Sequence, residues 1–182
     1  MPVSLKRIEI AAMLSLISIA SSVPSLASDL FASLKMSRLP AGSMAAPFEL
    51  TTLDGKLLKS SELAGKVVLV NFWATWCGPC KEEMSGLARL QQQLDPTRFV
   101  LLTVTTDLQR QGIVHFLSQL GISLPVLFDE DQEVSRSFMV RGLPTTIVIA
   151  RDGTLVGRAV GPRAWDSPEA VAAMRQVVES GK

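Results

Sequence analysis

The chain has 182 residues with 18 basic and 17 acidic side chains, a formal charge of +1. That near-neutral balance gives no basic footprint for nucleic acid or an anionic surface. With 47% hydrophobic and 19% charged residues it has enough apolar material for one globular core and does not read as disordered. Two cysteines and one histidine, His115, leave too few ligands for the common zinc sites.

The amino terminus reads as a targeting segment over residues 1–27. Lys6 and Arg7 open it, Ile10 to Ala20 is apolar, and Ser25-Leu26-Ala27 presents small residues where a signal peptidase cleaves. The apolar stretch is shorter than the roughly 20 residues a spanning helix needs. Cleavage is the expectation, and an uncleaved membrane anchor is the alternative. Loss of Lys6, Arg7 and Glu9 would leave the mature chain formally neutral. Residues 28–45 carry Pro, Gly, Ser and Ala with little periodicity and read as a linker. Residues 46–182 then form the folded domain.

Within that domain, Phe48 to Leu58, turning at Asp54-Gly55, predicts a β-hairpin. Ser60 or Ser61 is placed to cap a short helical turn through Ala64. Val67 to Trp73 is apolar apart from Asn71, the signature of a central strand buried on both faces. Beyond it, Met84, Leu87, Leu90 and Leu94 form one helical stripe that stops at Asp95-Pro96. Phe99 to Thr105 predicts a second buried strand, and the pair makes a βαβ unit. A helix over 109–120 follows, with Ile113, Phe116, Leu117 and Leu120 inward. Next come a strand from Pro125 to Phe128 and a short helix from Glu130 to Phe138. Asp129-Glu130-Asp131 reads as a solvated loop. Thr145 to Ala150 and Leu155 to Val160 form a hairpin about Asp152-Gly153. Ser167-Pro168 opens the last helix, which runs to about Glu179.

The chemistry-bearing string is Trp76-Cys77-Gly78-Pro79-Cys80, directly after a buried strand and at the start of a helix. Helix N-terminal amides and the macrodipole favour a thiolate, the reactive form of cysteine. Cys77, at the exposed helix start, is expected to attack. Cys80, one turn on and more buried, is expected to resolve the mixed disulfide. Pro79 is tolerated in the first turn, where its missing N–H costs nothing. A two-thiolate Cu(I) clip is the rival use of the same pair.

The stretch Asn71-Phe72-Trp73-Ala74-Thr75-Trp76-Cys77-Gly78-Pro79-Cys80 resembles the active-site segment of thioredoxins. More closely it is similar to the exported TlpA/ResA-like thiol–disulfide oxidoreductases. Ala46-Pro47-Phe48-Glu49-Leu50, Asp54-Gly55-Lys56, Leu63-Ala64-Gly65-Lys66 and Gly142-Leu143-Pro144-Thr145-Thr146 carry the same resemblance, over about residues 46–165. It implies an α/β thioredoxin fold, a mixed central sheet flanked by helices, with an N-terminal hairpin and an inserted helix–strand element. It also implies a bacterial, periplasmic or otherwise extracytoplasmic setting. Its usual role is keeping other thiols reduced, cytochrome c biogenesis among them, with no dissociable cofactor and no metal beyond the redox-active disulfide. The expected partners are exported proteins bearing thiols or disulfides, together with a membrane electron donor that replaces electrons lost in an oxidising compartment. A monomer is expected. The Gly78-Pro79 pair resembles reducing thioredoxins and argues against a disulfide-donating oxidant.

Three further readings rest partly on that resemblance. Pro144 matches the proline that is cis and faces the dithiol in the family. With Leu143 it would pair an extended substrate segment by strand addition, alongside Trp76, Gly78 and Pro79. An ordinary trans proline opening an edge strand is the alternative. Glu83 lies roughly 60° round the helix from Cys80, and ResA-like proteins carry a glutamate at the matching position. Thioredoxins instead bury an aspartate where this chain has Asn71. Glu83 is therefore expected to move protons to and from the resolving thiol, against the plain alternative of a surface glutamate at a helix start. Glu82, about 200° round from Cys80, should face solvent. Ser85 departs from the family, where proline often bends this helix, and predicts a straighter one. Trp73 reads as core. Met139, near the Pro144 loop, reads as core before soft metal ligand.

Overall fold

The structure is a computed structural model that describes Ala32 and residues 34–180. Residues 1–27, which read as a targeting segment in the sequence, lie outside the described residues. Eight strands form one mixed sheet: β1 Ser37–Arg38, β2 Glu49–Thr52, β3 Leu57–Lys59, β4 Val67–Trp73, β5 Phe99–Thr105, β6 Val126–Phe128, β7 Thr145–Ile149 and β8 Leu155–Val160. Among the described residues four α-helices accompany them: α1 Gly78–Gln93, α2 Arg110–Leu120, α3 Glu133–Ser137 and α4 Pro168–Glu179. The order across the sheet is β1-β8-β7-β4-β5-β6-β2-β3. β4 runs parallel to β5 and antiparallel to β7. The N-terminal hairpin β2–β3 adds to the sheet edge through β6. The helix–strand element α2–β6 follows β5 and pairs β6 parallel to it.

β4 is buried along its whole length, as its apolar run requires. Side chains alternate across a strand. Val68, Val70 and Phe72 therefore join a core with Phe48, Leu50, Val134 and Phe138 on one face. Val67, Leu69 and Trp73 join the larger core on the other, with Met84, Leu87 and Leu90 of α1, Ile113 and Phe116 of α2, and Met174 of α4. Asn71 shares this second parity, so the one polar residue of β4 is directed to the face that α1 covers. No helix among the described residues is long and apolar enough to cross a membrane.

Several elements differ from their sequence-based expectations. Residues 28–45 read as a linker, yet from Leu34 onward the chain is built into the domain. Leu34 and Met36 are buried, β1 pairs antiparallel with β8, and the Ala45 amide donates to the Gly153 carbonyl. A two-residue edge strand is too short to leave an alternating pattern. The turn after β3 is a 3-10 helix, Ser60–Leu63, capped by Glu62 accepting from the Lys59 amide at 2.9 Å rather than by a serine. Ser60 instead accepts from the Phe48 amide at 3.0 Å. Asp129 is buried, not solvated. Its carboxylate accepts from the amides of Val134 and Ser135 at 3.1 and 2.7 Å, which starts α3 later than Glu130. Met139 is 55% exposed with φ +50°, so it is not core. α1 continues unbroken through Ser85.

Candidate active site

β4 ends at Trp73, and the four residues after it turn the chain into α1. The turn is braced by Asp107, just beyond the end of the neighbouring strand β5. Asp107 accepts from the Thr75 amide at 2.7 Å, from the Thr75 hydroxyl at 2.9 Å and from the Thr105 hydroxyl at 2.8 Å. Cys77 is the N-cap of α1, with Pro79 in the first turn. Its Sγ accepts the Cys80 amide at 3.2 Å, and the two cysteines form a disulfide with Cα atoms 5.3 Å apart.

The expected order of exposure holds, but Cys77 was expected to be open and is only 5% exposed; Cys80 is 0% exposed. What stands open is the rim. Trp76 is 74% exposed, and Gly78 and Pro79 are also exposed. Trp73 is core and stacks on Phe116 with centroids 5.3 Å apart. Across the sheet, the Leu143–Pro144 peptide is cis. Thr145 pairs with Phe72, so Pro144 sits at the end of β7 adjoining the end of β4 from which the dithiol turn departs. Pro144 is buried and Leu143 half-buried.

Glu83 is one turn beyond Cys80 and only 3% exposed. Three donors reach its carboxylate from separate parts of the chain. Asn71 Nδ2 reaches Oε1 at 2.7 Å, and the Arg163 amide and Trp165 Nε1 each reach Oε2 at 2.9 Å. Asn71 Nδ2 also donates to the Thr146 hydroxyl at 3.0 Å, linking Glu83 to the strand that follows Pro144. Burial pushes the Glu83 carboxyl above its ordinary value, and the bonds from Trp165, Arg163 and Asn71 oppose that shift without cancelling it. Glu82 is exposed, as its helical angle predicts. His115 is exposed as well. Among the described residues no group of three or more His, Cys, Asp or Glu side chains is placed to hold a metal ion.

Asp107, Arg163 and Trp165 escaped the sequence reading. Each reaches the site from a loop remote in sequence, and none lies in a periodic pattern or motif. The nearest available signal was the acid just after the end of the predicted strand Phe99 to Thr105.

A dithiol capping a helix, on a mixed sheet with a cis-proline at the adjoining strand end, defines a thioredoxin-type thiol–disulfide oxidoreductase. The pattern of the AhpC/TSA family matches residues 41–158. The chain is 30% identical over 132 residues to the thiol-disulfide oxidoreductase ResA of Bacillus thuringiensis, covering 72% of this chain and 76% of that one. To ResA of Bacillus subtilis it is 33% identical over 120 residues, covering 66% and 67%. Among solved structures it is similar to a putative thiol:disulfide interchange protein DsbE from Chlorobium tepidum. That match has a TM-score of 0.66 and 30% identity, and covers 79% of this chain and 98% of that one. The chain belongs to the AhpC/TSA family, as a ResA-like thiol–disulfide oxidoreductase.

Proposed function

We propose that this chain is exported and reduces disulfides in extracytoplasmic proteins. The observation that carries the reading is the pairing of Cys77, at the N-cap, with a fully buried Cys80 backed by the buried carboxylate of Glu83. In the reduced protein, the Cys80 amide and the positive end of α1 favour a thiolate at Cys77. That thiolate attacks one sulfur of the substrate disulfide. The substrate S–S bond breaks, a mixed disulfide with Cys77 forms, and one substrate thiolate leaves and takes a proton. Glu83 then accepts the proton of the Cys80 thiol, and Cys80 attacks the Cys77 sulfur. The mixed disulfide breaks, the second substrate sulfur leaves as a thiolate and takes up a proton, Glu83 passes its proton on to solvent, and Cys77–Cys80 forms. Two electrons pass to the substrate, and a membrane electron donor restores them.

Trp76, Gly78 and Pro79 on one side and Leu143 and Pro144 on the other form the rim that the substrate segment meets. The Leu143 backbone offers it a strand-like pairing. The signal-like ending at Ala27 and the kinship with ResA support export. The Cys80→Ser variant tests the scheme, because it can attack but cannot resolve. Recovered from the extracytoplasmic fraction, it should carry partner proteins as reductant-sensitive adducts through Cys77. Adducts absent there, or attached through another residue, contradict the reading.

A further inference from the structure

Glu83 belongs to α1, but two of its three donors come from the connection between β8 and α4. The Arg163 amide and Trp165 Nε1 share Oε2. The backbone of Arg163 is in turn held from elsewhere in the chain. Its guanidinium donates to the carbonyl of Leu34 at 2.6 Å and of Lys35 at 3.2 Å, and closes back on those of Gly161 and Pro162 at 3.1 and 2.9 Å. Leu34 and Met36 are buried in the same core as α1, and β1 follows immediately along the edge of β8. Lys35 itself sits at φ +47°, uncommon away from glycine, where its carbonyl meets the guanidinium. Amino-terminal strap, Arg163 and Glu83 thus form one continuous hydrogen-bonded chain.

We propose that Arg163 is a positioning residue for Glu83: by clamping the carbonyls of Leu34 and Lys35, it makes the amino-terminal strap part of the active site and fixes the amide that hydrogen-bonds the Glu83 carboxylate. The rigid fork of a guanidinium suits this task, since it can hold two separate backbone segments at once. An N–H aimed at a carboxylate favours its ionised form. If the strap loosens, the Arg163 amide drifts, Oε2 keeps only Trp165, and protonated Glu83 gains. The charged and titratable groups around Glu83 are Arg163 on the connection and Cys80 one turn back on α1, held in the disulfide. β4 contributes neutral Asn71 and, through it, β7 contributes neutral Thr146. Asp166, next along the connection, is engaged by Arg89 at 2.8 Å.

The inference builds on Glu83 as the proton-handling carboxylate, but it is read on the ionisation of Glu83 alone. The experiment follows the side-chain carboxyl carbons of the oxidised protein by NMR against pH, with Glu83→Gln identifying the Glu83 signal. Trp165→Phe, which removes a donor to Oε2 directly, sets the direction of the response, towards titration at higher pH. Arg163→Lys keeps the charge and loses the fork. Leu34→Ala loosens the strap and leaves Arg163 intact. Both should move the Glu83 titration to higher pH. An unchanged titration in both, with Trp165→Phe shifted, overturns the proposal. So does a shift confined to Arg163→Met, which would show that only the positive charge matters. Failure of the catalytic reading looks different: Glu83→Gln would keep the wild-type rate profile, wherever Glu83 titrates.

Discussion

At the start of α4 the Ser167 hydroxyl accepts the Ala170 amide at 3.1 Å, and Pro168 occupies the first turn. At the start of α1 the Cys77 sulfur accepts the Cys80 amide at 3.2 Å, and Pro79 occupies the first turn. The backbone plan is the same, and both starts satisfy an amide that the helix itself leaves unpaired. The first turn of α4 also contains Glu169, an acid that complements the helix dipole, whereas the first turn of α1 contains none. The positive end of α1 is therefore left to the sulfur. Val171 and Met174 follow Ala170 into an apolar core, while the buried carboxylate of Glu83 follows Cys80. Capping geometry is a general stabilising device. Redox chemistry comes from placing thiols at the cap and at the third helical position, and here a buried carboxylate stands one turn further in.

Cys77→Ser collapses the difference most completely, because it gives α1 the cap of α4. The serine hydroxyl should accept the Cys80 amide and keep the fold, while disulfide reduction falls to background in an insulin-turbidity assay. Clear residual turnover would mean that Cys80 can act alone.

Glu83→Gln is the next largest change. Proton transfer by a positioned side chain is commonly worth ~10²–10⁴-fold. Resolution of the mixed disulfide should therefore slow by about a hundredfold or more and lose its dependence on the Glu83 ionisation, while Glu82→Gln should match wild type in stopped-flow rates across pH. The substitution fits the site sterically. The amide oxygen can take the place of Oε2, and Asn71 can turn its Oδ1, which has no partner, towards the new NH2 group. Stability carries a second signature. Burial raises the folded value of Glu83 above the ordinary 4.5, so between the two values the folded protein holds a proton that the unfolded chain has released. Its contribution is fully present below the unfolded value and is lost as pH rises through the folded one. Denaturant midpoints measured across that window should fall more steeply for wild type than for Glu83→Gln.

Ser167→Ala is the smallest change and the control on the α4 side. Loss of the cap should cost about 1 kcal/mol in urea unfolding and leave thiol reactivity untouched. A change in the pH profile of the dithiol would show that the two helix starts are coupled.

The parts of this molecule that were readable from sequence are those where one segment carries its own signal. Val67 to Trp73 announces a strand buried on both faces by its unbroken apolar run, and Ser167-Pro168 announces a helix start by cap chemistry. Helical angle, together with the family resemblance, separated Glu83 from Glu82. The geometry that holds Glu83 was not readable in this way. Arg163 and Trp165 contact it from some eighty positions further along the chain, and an arginine clamping backbone carbonyls leaves no pattern of its own. Asp129 misled because an acidic triplet looks solvated, although its carboxylate is spent on the amides that open α3. The segment from Leu34 misled because its order comes from β8 and Arg163, not from its own composition.

The central claim, that Cys77 and Cys80 deliver electrons and do not withdraw them, is tested most directly by the reduction potential of their couple. Equilibration with a thiol redox buffer of known potential, followed by quantifying the reduced fraction, measures it. A reductant should fall near the value of thioredoxin, about −270 mV. A value near about −120 mV, that of a strong disulfide donor, would contradict the account.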